Sequence, residues 1–398
     1  MTDFEKTRTM FDIPEGVVYL NGNSLGPMPK AAPDAMARFL HDEWRTELIK
    51  GWNTKGWWMA ANALGDRVGK LVGAEPGTTI VSDSLSIKVF QALAAAMAMV
   101  PDRRVILSDD GNFPTDLYMA EGLMKLKDDG YELRIPNPED VLDAITEDVA
   151  VVMVTEVDYR SGRRHDMAAI IEKAHQLGAV VIWDLAHSAG AIPVELGRLD
   201  VDFAVGCTYK YINGGPGAPA FIYVAPRLLD TVEPYLSGWW GHASPFEFDT
   251  SYHPVPNQIT RMRIGTQSIA AFNLLSTALD VWDHVDMADL DRRTKELAEL
   301  FIAQVESRCP GVSLASPRDA DQRGAHVAFQ FEHGYACMQA LISQGVIGDF
   351  RAPDIMRFGI TPLFINEQDI LKAVSVLEDI LARETWKEDR FQTRSKVT

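Results

Sequence analysis

The sequence predicts an α/β fold, in which a mostly parallel, seven-stranded sheet with helices on both faces precedes a small α+β C-terminal domain. Short apolar runs alternate with helical segments from Thr79 to Val224, and this alternation is typical of parallel sheets covered on both faces. Two of the runs end in small and polar residues, as strands do where a ligand binds at their carboxyl ends. The alternation stops after Leu236, which indicates a separate C-terminal unit.

The predicted sheet takes its strands from seven apolar segments, and helices fill the stretches between them. The strands are predicted at 79–81, 104–108, 131–135, 150–155, 179–184, 202–206 and 220–224. The helices are predicted at 29–45, in a segment ending near 72, from 82–86 to 99, from 112 onward, at 138–145 and at 167–177. Ser and Asp favour helix N-caps, and Pro114 suits a first helical turn. Residues 1–16 are predicted to form an extended arm, 17–20 a short strand and 52–58 an aromatic loop.

Beyond Leu236 the pattern indicates a long loop and then a smaller unit. The stretch 237–264 is rich in Pro, Gly and aromatic residues, and a loop of this length inside a compact domain is usually functional. The later elements are predicted at 265–282, 287–307, 325–331, 333–344, 346–348, 355–359 and 367–383. We therefore expect an N-terminal arm and helix at 1–45, a large domain at 46–282 and a small C-terminal domain at 283–398.

Composition and charge exclude several classes of partner. The 398 residues carry a formal net charge of −18, which argues against nucleic acid or an anionic membrane surface. The three cysteines, Cys207, Cys309 and Cys337, give neither a disulfide framework nor a metal-ligand spacing, so we expect a cytoplasmic protein without a metal. The N-terminus lacks a signal-peptide pattern, and the longest apolar run, 89–100, is too short to span a bilayer.

A lysine and an aspartate stand at the ends of two predicted strands. Lys210 follows an apolar run and precedes a glycine-rich turn, and Asp184 ends the run 179–184. Pyridoxal phosphate enzymes need such a pair, because the amine forms a Schiff base and the carboxylate keeps a pyridinium nitrogen protonated. The alternative is a salt-bridged surface lysine with a helix-capping aspartate. His187, three residues after Asp184, favours the cofactor interpretation.

Several motifs together resemble those of the kynureninase family, whose members are fold-type-I pyridoxal phosphate enzymes of the aminotransferase class V group. The resemblance runs nearly end to end. The segments around Asp184, His187 and Lys210 are shared with cysteine desulfurases. The motifs more specific to kynureninases are Asn21-Gly22-Asn23-Ser24, Phe113-Pro114-Thr115-Asp116 and Gly238-Trp239-Trp240-Gly241-His242, and further matching segments are Gly265-Thr266-Gln267 and Met356-Arg357-Phe358-Gly359.

The resemblance implies pyridoxal 5'-phosphate as the cofactor and a role for each matching residue. Lys210 would be the Schiff-base lysine that moves protons, Asp184 the partner of the pyridinium, and Tyr209 both a phosphate ligand and a proton donor. Leu85 stands where relatives often have a threonine, so it offers only its backbone N–H to the phosphate. The other implied cofactor residues are Ser84 and Trp239 at the phosphate, Thr266 at the phosphate of the neighbouring subunit, Phe113 on the ring face, Asp116 at the cofactor's edge, Thr155 near the ring hydroxyl and His187 beside the ring.

For the substrate, the resemblance implies that Arg357 clamps an α-carboxylate, a bidentate task that suits a guanidinium group. Arg351 is the competitor for this task. Asn23 and Ser24 are expected at the substrate as well. Trp52 and Trp239 lie in glycine-flanked loops, and we expect them to offer flat apolar walls to an aryl group.

The implied reaction is the hydrolysis of L-kynurenine, and of 3-hydroxykynurenine as a further substrate, to anthranilate or 3-hydroxyanthranilate and L-alanine in tryptophan catabolism and NAD biosynthesis. The role of Thr266 implies a homodimer with shared active sites. One alternative is a cysteine desulfurase or selenocysteine lyase, which needs a mobile nucleophilic cysteine, whereas Cys337 lies in a predicted helix interior. The other is a catalytically silent cofactor-binding protein, which should lack the lysine or the carboxylate clamp.

Overall fold

The computed structural model describes residues 1–393 of the chain. The first element of the chain is a helix. Helix α1 (Phe4–Thr9) forms because the Asp3 side chain accepts a hydrogen bond from the backbone N–H of Lys6, which is a favourable N-cap. The predicted extended arm over residues 1–16 is therefore wrong for its first half. Strand β1 (Val18–Tyr19) follows, as predicted.

The helix predicted at 29–45 starts later than expected and loses its regular form. The helical segments here are α2 (Ala32–Arg38), a π-helical segment (Phe39–Trp44), α3 (Arg45–Glu47), α4 (Gly51–Thr54) and a 3₁₀ turn (Trp57–Met59). Pro33 lies in the first turn of α2, where its lack of a backbone N–H costs no intrahelical hydrogen bond. The aromatic loop predicted at 52–58 is largely helical, so that prediction is wrong.

Strands β2 to β8 form one seven-stranded sheet, as the sequence predicts. They are β2 (Thr79–Ser82), β3 (Val105–Leu107), β4 (Glu132–Arg134), β5 (Val149–Thr155), β6 (Val180–Asp184), β7 (Phe203–Cys207) and β8 (Ala220–Val224). The order is β2-β8-β7-β6-β5-β3-β4, and only β8 runs against its neighbours. Strands β5 to β8 are buried along their whole length, because a sheet covered on both faces buries every side chain.

Helix α6 crosses the middle of this sheet, where it contacts β5, β6, β7 and β8. The helices of this part of the chain are α5 (Ala60–Leu71), α6 (Leu85–Met99), α7 (Pro114–Lys127), α8 (Val141–Ala144), α9 (Met167–Gln176) and α10 (Ile269–Trp282). The α6 alanines at 92 and 94–96 are buried and allow a close approach to the strands. Among residues 1–393, no helix combines the length and the apolar character needed to cross a membrane.

The C-terminal part contains a second sheet, of four antiparallel strands, in agreement with the predicted α+β pattern. Its elements are α11 (Met287–Arg308), β9 (Ser313–Leu314), β10 (His326–Gln330), α12 (Gly334–Ser343), β11 (Val346–Ile347), β12 (Asp349–Arg351), β13 (Ile355–Gly359), α13 (Glu367–Ala382) and α14 (Asp389–Gln392). The strand order is β12-β13-β10-β9, and the short strand β12 was not predicted. Strand β11 instead pairs in parallel with β1, which ties the N-terminal segment to the C-terminal part.

The N-terminal segment also contacts the loop that carries Lys210. The backbone N–H of Gly26 donates a hydrogen bond to the Tyr209 carbonyl oxygen over 2.8 Å. A Cβ atom at position 26 would lie 2.4 Å from the Lys210 carbonyl oxygen and 2.3 Å from the Asn213 side-chain oxygen. Only glycine fits such a close approach, so the two segments are held in one arrangement.

Gly26→Ala should destabilise the protein, because the added methyl group overlaps atoms of the lysine loop. Overpacking of this kind costs about 1–3 kcal/mol, which urea unfolding would measure as a lower free energy of unfolding. The matched control is Gly122→Ala on α7, where an added Cβ meets no atom within 4 Å and the loss of a helical glycine should stabilise by about 1 kcal/mol. Equal stability of Gly26→Ala and wild type would contradict the close fit.

Candidate active site

The carboxyl ends of β5, β6 and β7 border a cavity of about 160 Å³. Thr155 ends β5, Asp184 ends β6 and Lys210 follows β7. The N-terminal segment and the C-terminal sheet supply the other walls. The lining residues are Asn23, Ser24, Leu85, Phe113, Thr155, Tyr159, Asp184, Ala186, His187, Tyr209, Lys210, Arg351 and Arg357. Residues predicted for the cofactor and residues predicted for the substrate therefore share one cavity.

Lys210 and His187 are in direct contact there. The Lys210 Nζ atom lies 3.0 Å from His187 Nε2. Burial and, after it, the charge of Lys210 lower the pKa of His187 well below its usual range, so the imidazole is neutral at pH 7. A ring nitrogen without a proton accepts a hydrogen bond, and the lysine therefore donates to it. This hydrogen bond to His187 orients the Lys210 amine.

Two buried carboxyl groups lie near the same lysine. Burial raises the pKa of Asp184 to about 6, although the charge of Lys210 opposes the shift. Burial, and then the charge of Asp184, raise the pKa of Asp116 well above its usual range. The Asp116 Oδ2 atom is buried without a partner among residues 1–393. A further positive charge nearby would stabilise the ionised form of both carboxyl groups, and a protonated pyridine nitrogen would supply it. These residues therefore fit the implied cofactor.

A second cavity, of about 430 Å³, adjoins the first at Leu85 and Tyr209, which line both. Ser84 and Thr266 line it too, so four of the predicted phosphate residues surround one space. Ser84 is the N-cap of α6, and its side chain makes no capping hydrogen bond. Its hydroxyl and the N–H groups of the first helical turn suit a phosphate. Thr266 lines the cavity of its own chain, and its service to a neighbouring subunit stays a prediction.

Two arginines at the first cavity share one carboxylate. Arg357 Nε donates to Asp349 Oδ1 over 2.7 Å, and its Nη2 donates to Oδ2. Arg351 Nη2 lies 3.1 Å from Asp349 Oδ2, and the Ser24 hydroxyl donates to the same oxygen. Although burial opposes the shift, hydrogen bonding to Arg357 lowers the pKa of Asp349, so the carboxylate is ionised. The three charged groups leave a net positive charge at this wall.

Trp52 and Trp239 line neither of these two cavities, so their role as walls of an aryl pocket stays a prediction. The Trp52 ring lies 5.3 Å from that of Trp240, and the Trp239 ring lies 5.6 Å from that of Trp58. These aromatic side chains pack on one another because stacking buries their large apolar faces. Trp239 is also not placed at the predicted phosphate site of its own chain. Trp57 is buried, and its ring lies 5.7 Å from that of Trp52.

Three residues at the site were missed from the sequence. Tyr159 follows the end of β5, and its ring lies 5.2 Å from that of Phe113. The rule that strand ends carry site residues, applied beyond Thr155, would have found it. Asp349 lies on the unpredicted strand β12, so its sequence gave no signal. His326 on β10 is fully buried 5.5 Å from the His187 ring, and burial lowers its pKa to about 3.

The positions of the three cysteines do not suit the nucleophile of a desulfurase. Cys207 is buried on β7, and Cys337 is buried within α12, in agreement with the predicted helix interior. Cys309 is buried at the end of α11. None of the three lines the cavity that contains Lys210. Cys207 lines the second cavity but is buried, as the other two are, so none of the three is the exposed thiol that sulfur transfer from cysteine requires.

Asp184→Asn should stabilise the cofactor-free protein at pH 7. The raised pKa means that the folded state binds a proton more tightly than the unfolded state, so stability falls as pH rises from 3.8 to about 6. Asparagine removes this loss and can still accept the Ala186 N–H, for a gain of at most about 3 kcal/mol. Urea unfolding of the two proteins at pH 4 and pH 7 would measure the gain.

The control for this experiment is a surface carboxylate with the opposite shift. The hydrogen bond from Arg134 lowers the pKa of Asp148 to about 2, so Asp148→Asn should bring no gain at pH 7. If Asp184→Asn were as stable as wild type at both pH values, the aspartate would carry no raised pKa.

Comparison with known proteins identifies the family. The family model for the kynureninase C-terminal domain matches residues 290–377. A kynureninase of Pseudomonas fluorescens is 47% identical, over 98% of this chain and 95% of the relative, and a kynureninase of Burkholderia pseudomallei (strain 1106a) matches with the same values.

Solved structures confirm the predicted fold class. A C-DES mutant with glycine covalently linked to the PLP cofactor superposes with a TM-score of 0.81 at 16% identity, over 94% of this chain and 99% of the other. The cysteine desulfurase CsdA of Escherichia coli gives 0.79 at 18% identity, over 96% and 99%. At such low identities these structures show the fold alone. The near full-length identity to curated relatives goes further and shows that the chain belongs to the kynureninase family.

Proposed function

We propose that this chain is a pyridoxal phosphate-dependent hydrolase that cleaves L-kynurenine to anthranilate and L-alanine in tryptophan catabolism. The observation that carries the proposal is the single cavity in which Lys210, Asp184 and the arginine pair meet, in a chain 47% identical to a kynureninase. The substrate is a small amino acid with an aryl ketone. 3-Hydroxykynurenine belongs to the same class, because it differs by one ring hydroxyl.

The cofactor would be held at both cavities. Lys210 would bind it through its amine, Asp184 would keep the ring nitrogen protonated, and Phe113 would cover the ring. Asp116, Thr155 and His187 would surround the ring, and the phosphate would be bound by Ser84, the Leu85 N–H, Tyr209 and Thr266. When bound, pyridoxal phosphate supplies an electron sink that stabilises negative charge at the substrate α-carbon.

Lys210 and His187 account for the proton transfer at the α-carbon. In its neutral form the Lys210 amine donates one N–H to His187 Nε2 and keeps a lone pair for the substrate proton. The neutral imidazole adds no positive charge beside the amine. His187 thus orients the base, while Lys210 removes the proton from the α-carbon and later returns one.

Tyr209 is suited to donate a proton to the β-carbon of the alanine product. Burial raises the pKa of its phenol, so the group stays protonated at neutral pH and can act as an acid. In the overall reaction water adds to the γ-carbonyl carbon and the bond between the β and γ carbons breaks. Anthranilate receives the hydroxyl, and the β-carbon of alanine receives the proton.

The assembly proposed is a homodimer with shared active sites. Support comes from exposed large apolar side chains concentrated in two stretches of the chain, at 40–59 and 235–248. They are Leu40, Trp44, Leu48, Ile49, Met59, Tyr235, Trp239, Phe246 and Phe248. Clusters of this kind usually mark interaction surfaces.

Two further proposals concern organisation and compartment. We propose a division into 1–45, 46–282 and 283–398, supported by the seven-stranded sheet within the second range and the four-stranded sheet within the third. A cytoplasmic location is supported by three cysteines that are all unpaired, since disulfides are rare in reducing compartments.

The assay that tests the function compares two substrates. The cofactor-loaded enzyme should release fluorescent anthranilate from L-kynurenine and no sulfide from L-cysteine. Lys210→Ala should reduce turnover to a negligible level, while Lys125→Ala, at a lysine whose side chain is 80% exposed, should leave it unchanged. Sulfide without anthranilate would favour a desulfurase. Full activity of Lys210→Ala would refute the role of the lysine.

The homodimer is testable by adding charge to the exposed apolar surface. Ile49→Glu combined with Phe248→Glu should shift sedimentation from dimer to monomer, because burying two unpaired carboxylates at an interface is unfavourable. The matched control is Leu126→Glu, at an exposed leucine on α7 outside these two stretches, which should remain dimeric. Sedimentation of an active wild-type monomer would contradict the proposal.

A further inference from the structure

Arg357 has little hydrogen-bonding capacity left for a ligand. Its side chain is only 1% exposed. Its Nε and Nη2 donate to Asp349, Nη2 also donates to Ser24 Oγ, and Nη1 donates to the Tyr159 carbonyl oxygen. A guanidinium has five N–H groups, so these four bonds leave one, on Nη1, without an acceptor among residues 1–393. Arg357 alone therefore offers no two-pronged fork to a carboxylate.

Arg351 is the accessible member of the pair. Its side chain is 34% exposed, and it lines the same cavity as Arg357 and Lys210. Asp349 and Arg351 stand two residues apart on β12 and so point to the same face. Asp349 pairs with Arg357 across the two strands. The carboxylate is thereby held between the two guanidinium groups.

The charges at this wall do not cancel. Asp349 balances one guanidinium group, and the second positive charge remains next to the cavity. An incoming α-carboxylate would balance that charge without breaking the buried pair of Asp349 and Arg357. Breaking a buried ion pair would leave an uncompensated charge, which is strongly unfavourable.

We propose that Arg351, together with the remaining Nη1 N–H of Arg357, contacts the α-carboxylate of the substrate. Asp349 is then a positioning residue that holds both arginines. The inference rests on the proposed function and specifies its carboxylate site. The site should select amino acids over amines or amides of similar shape.

The test measures binding of two small ligands to the cofactor-loaded enzyme. L-alanine carries the carboxylate and L-alaninamide does not, and the visible absorbance change on titration gives both dissociation constants. Arg351→Gln should weaken L-alanine binding about 10- to 100-fold, the loss expected for a hydrogen bond to a charged group. It should leave L-alaninamide binding unchanged and raise the KM for L-kynurenine more than it lowers kcat. Arg383→Gln, at an arginine 74% exposed beyond α13, is the control and should change neither constant.

The possible outcomes distinguish the role of Arg351 from the proposed function. Equal weakening of both ligands, or of neither, would overturn the role of Arg351. Arg351→Lys, which keeps the charge without the planar fork, should weaken L-alanine binding by a smaller factor, and it carries the test if the glutamine variant fails to fold. A wild-type enzyme that releases no anthranilate would refute the proposed function, while the comparison of L-alanine with L-alaninamide would still decide the carboxylate contact.

Discussion

The Lys210 amine lies within hydrogen-bond distance of His187 and close enough to Asp184 and Asp116 to influence the pKa of both. These groups are buried or nearly so, and water compensates their charges poorly. Each ionisation state therefore depends on its neighbours: the imidazole stays neutral, and both carboxyl groups hold protons more tightly than they would in water. The positive charge of a protonated pyridine ring would relieve this imbalance. The arrangement is unfavourable for the protein alone and suits a positively charged cofactor.

The large sheet can hold these groups because its central strands are covered on both faces. Strands β5 to β8 contain no exposed residue, and α6 crosses them with four buried alanines. Polar residues are confined to the strand ends, where the backbone leaves the sheet. Parallel pairing of β5, β6 and β7 brings three such ends to one edge. The site is thus a consequence of strand direction as much as of residue type.

The sequence was sufficient for the large sheet, because apolar runs of this length have few other solutions. The cofactor residues were implied by the family resemblance, and Ser84, Leu85, Tyr209 and Thr266 line one cavity of the structure. The sequence was insufficient where structure depends on distant contacts. Helix α1 is held by a contact with the C-terminal part, where the Thr7 hydroxyl donates a hydrogen bond to the Leu363 carbonyl oxygen. Trp52 and Trp239 pack in an aromatic cluster that no spacing predicts. Asp349 could not be found because β12 is three residues long and is defined by its pairing with β13.

The separation between the lysine and the arginine pair is set by the N-terminal segment. Gly26 fits against the loop of Lys210 with no room for a side chain, while Ser24, two residues earlier, bonds to both Asp349 and Arg357. The same segment pairs with β11 through β1. One short stretch therefore joins the end of the large sheet, which carries the amine, to the C-terminal sheet, which carries the guanidinium groups. A substrate that must place its α-carbon at Lys210 and its carboxylate at Arg351 depends on this connection, although the stretch itself carries no charge.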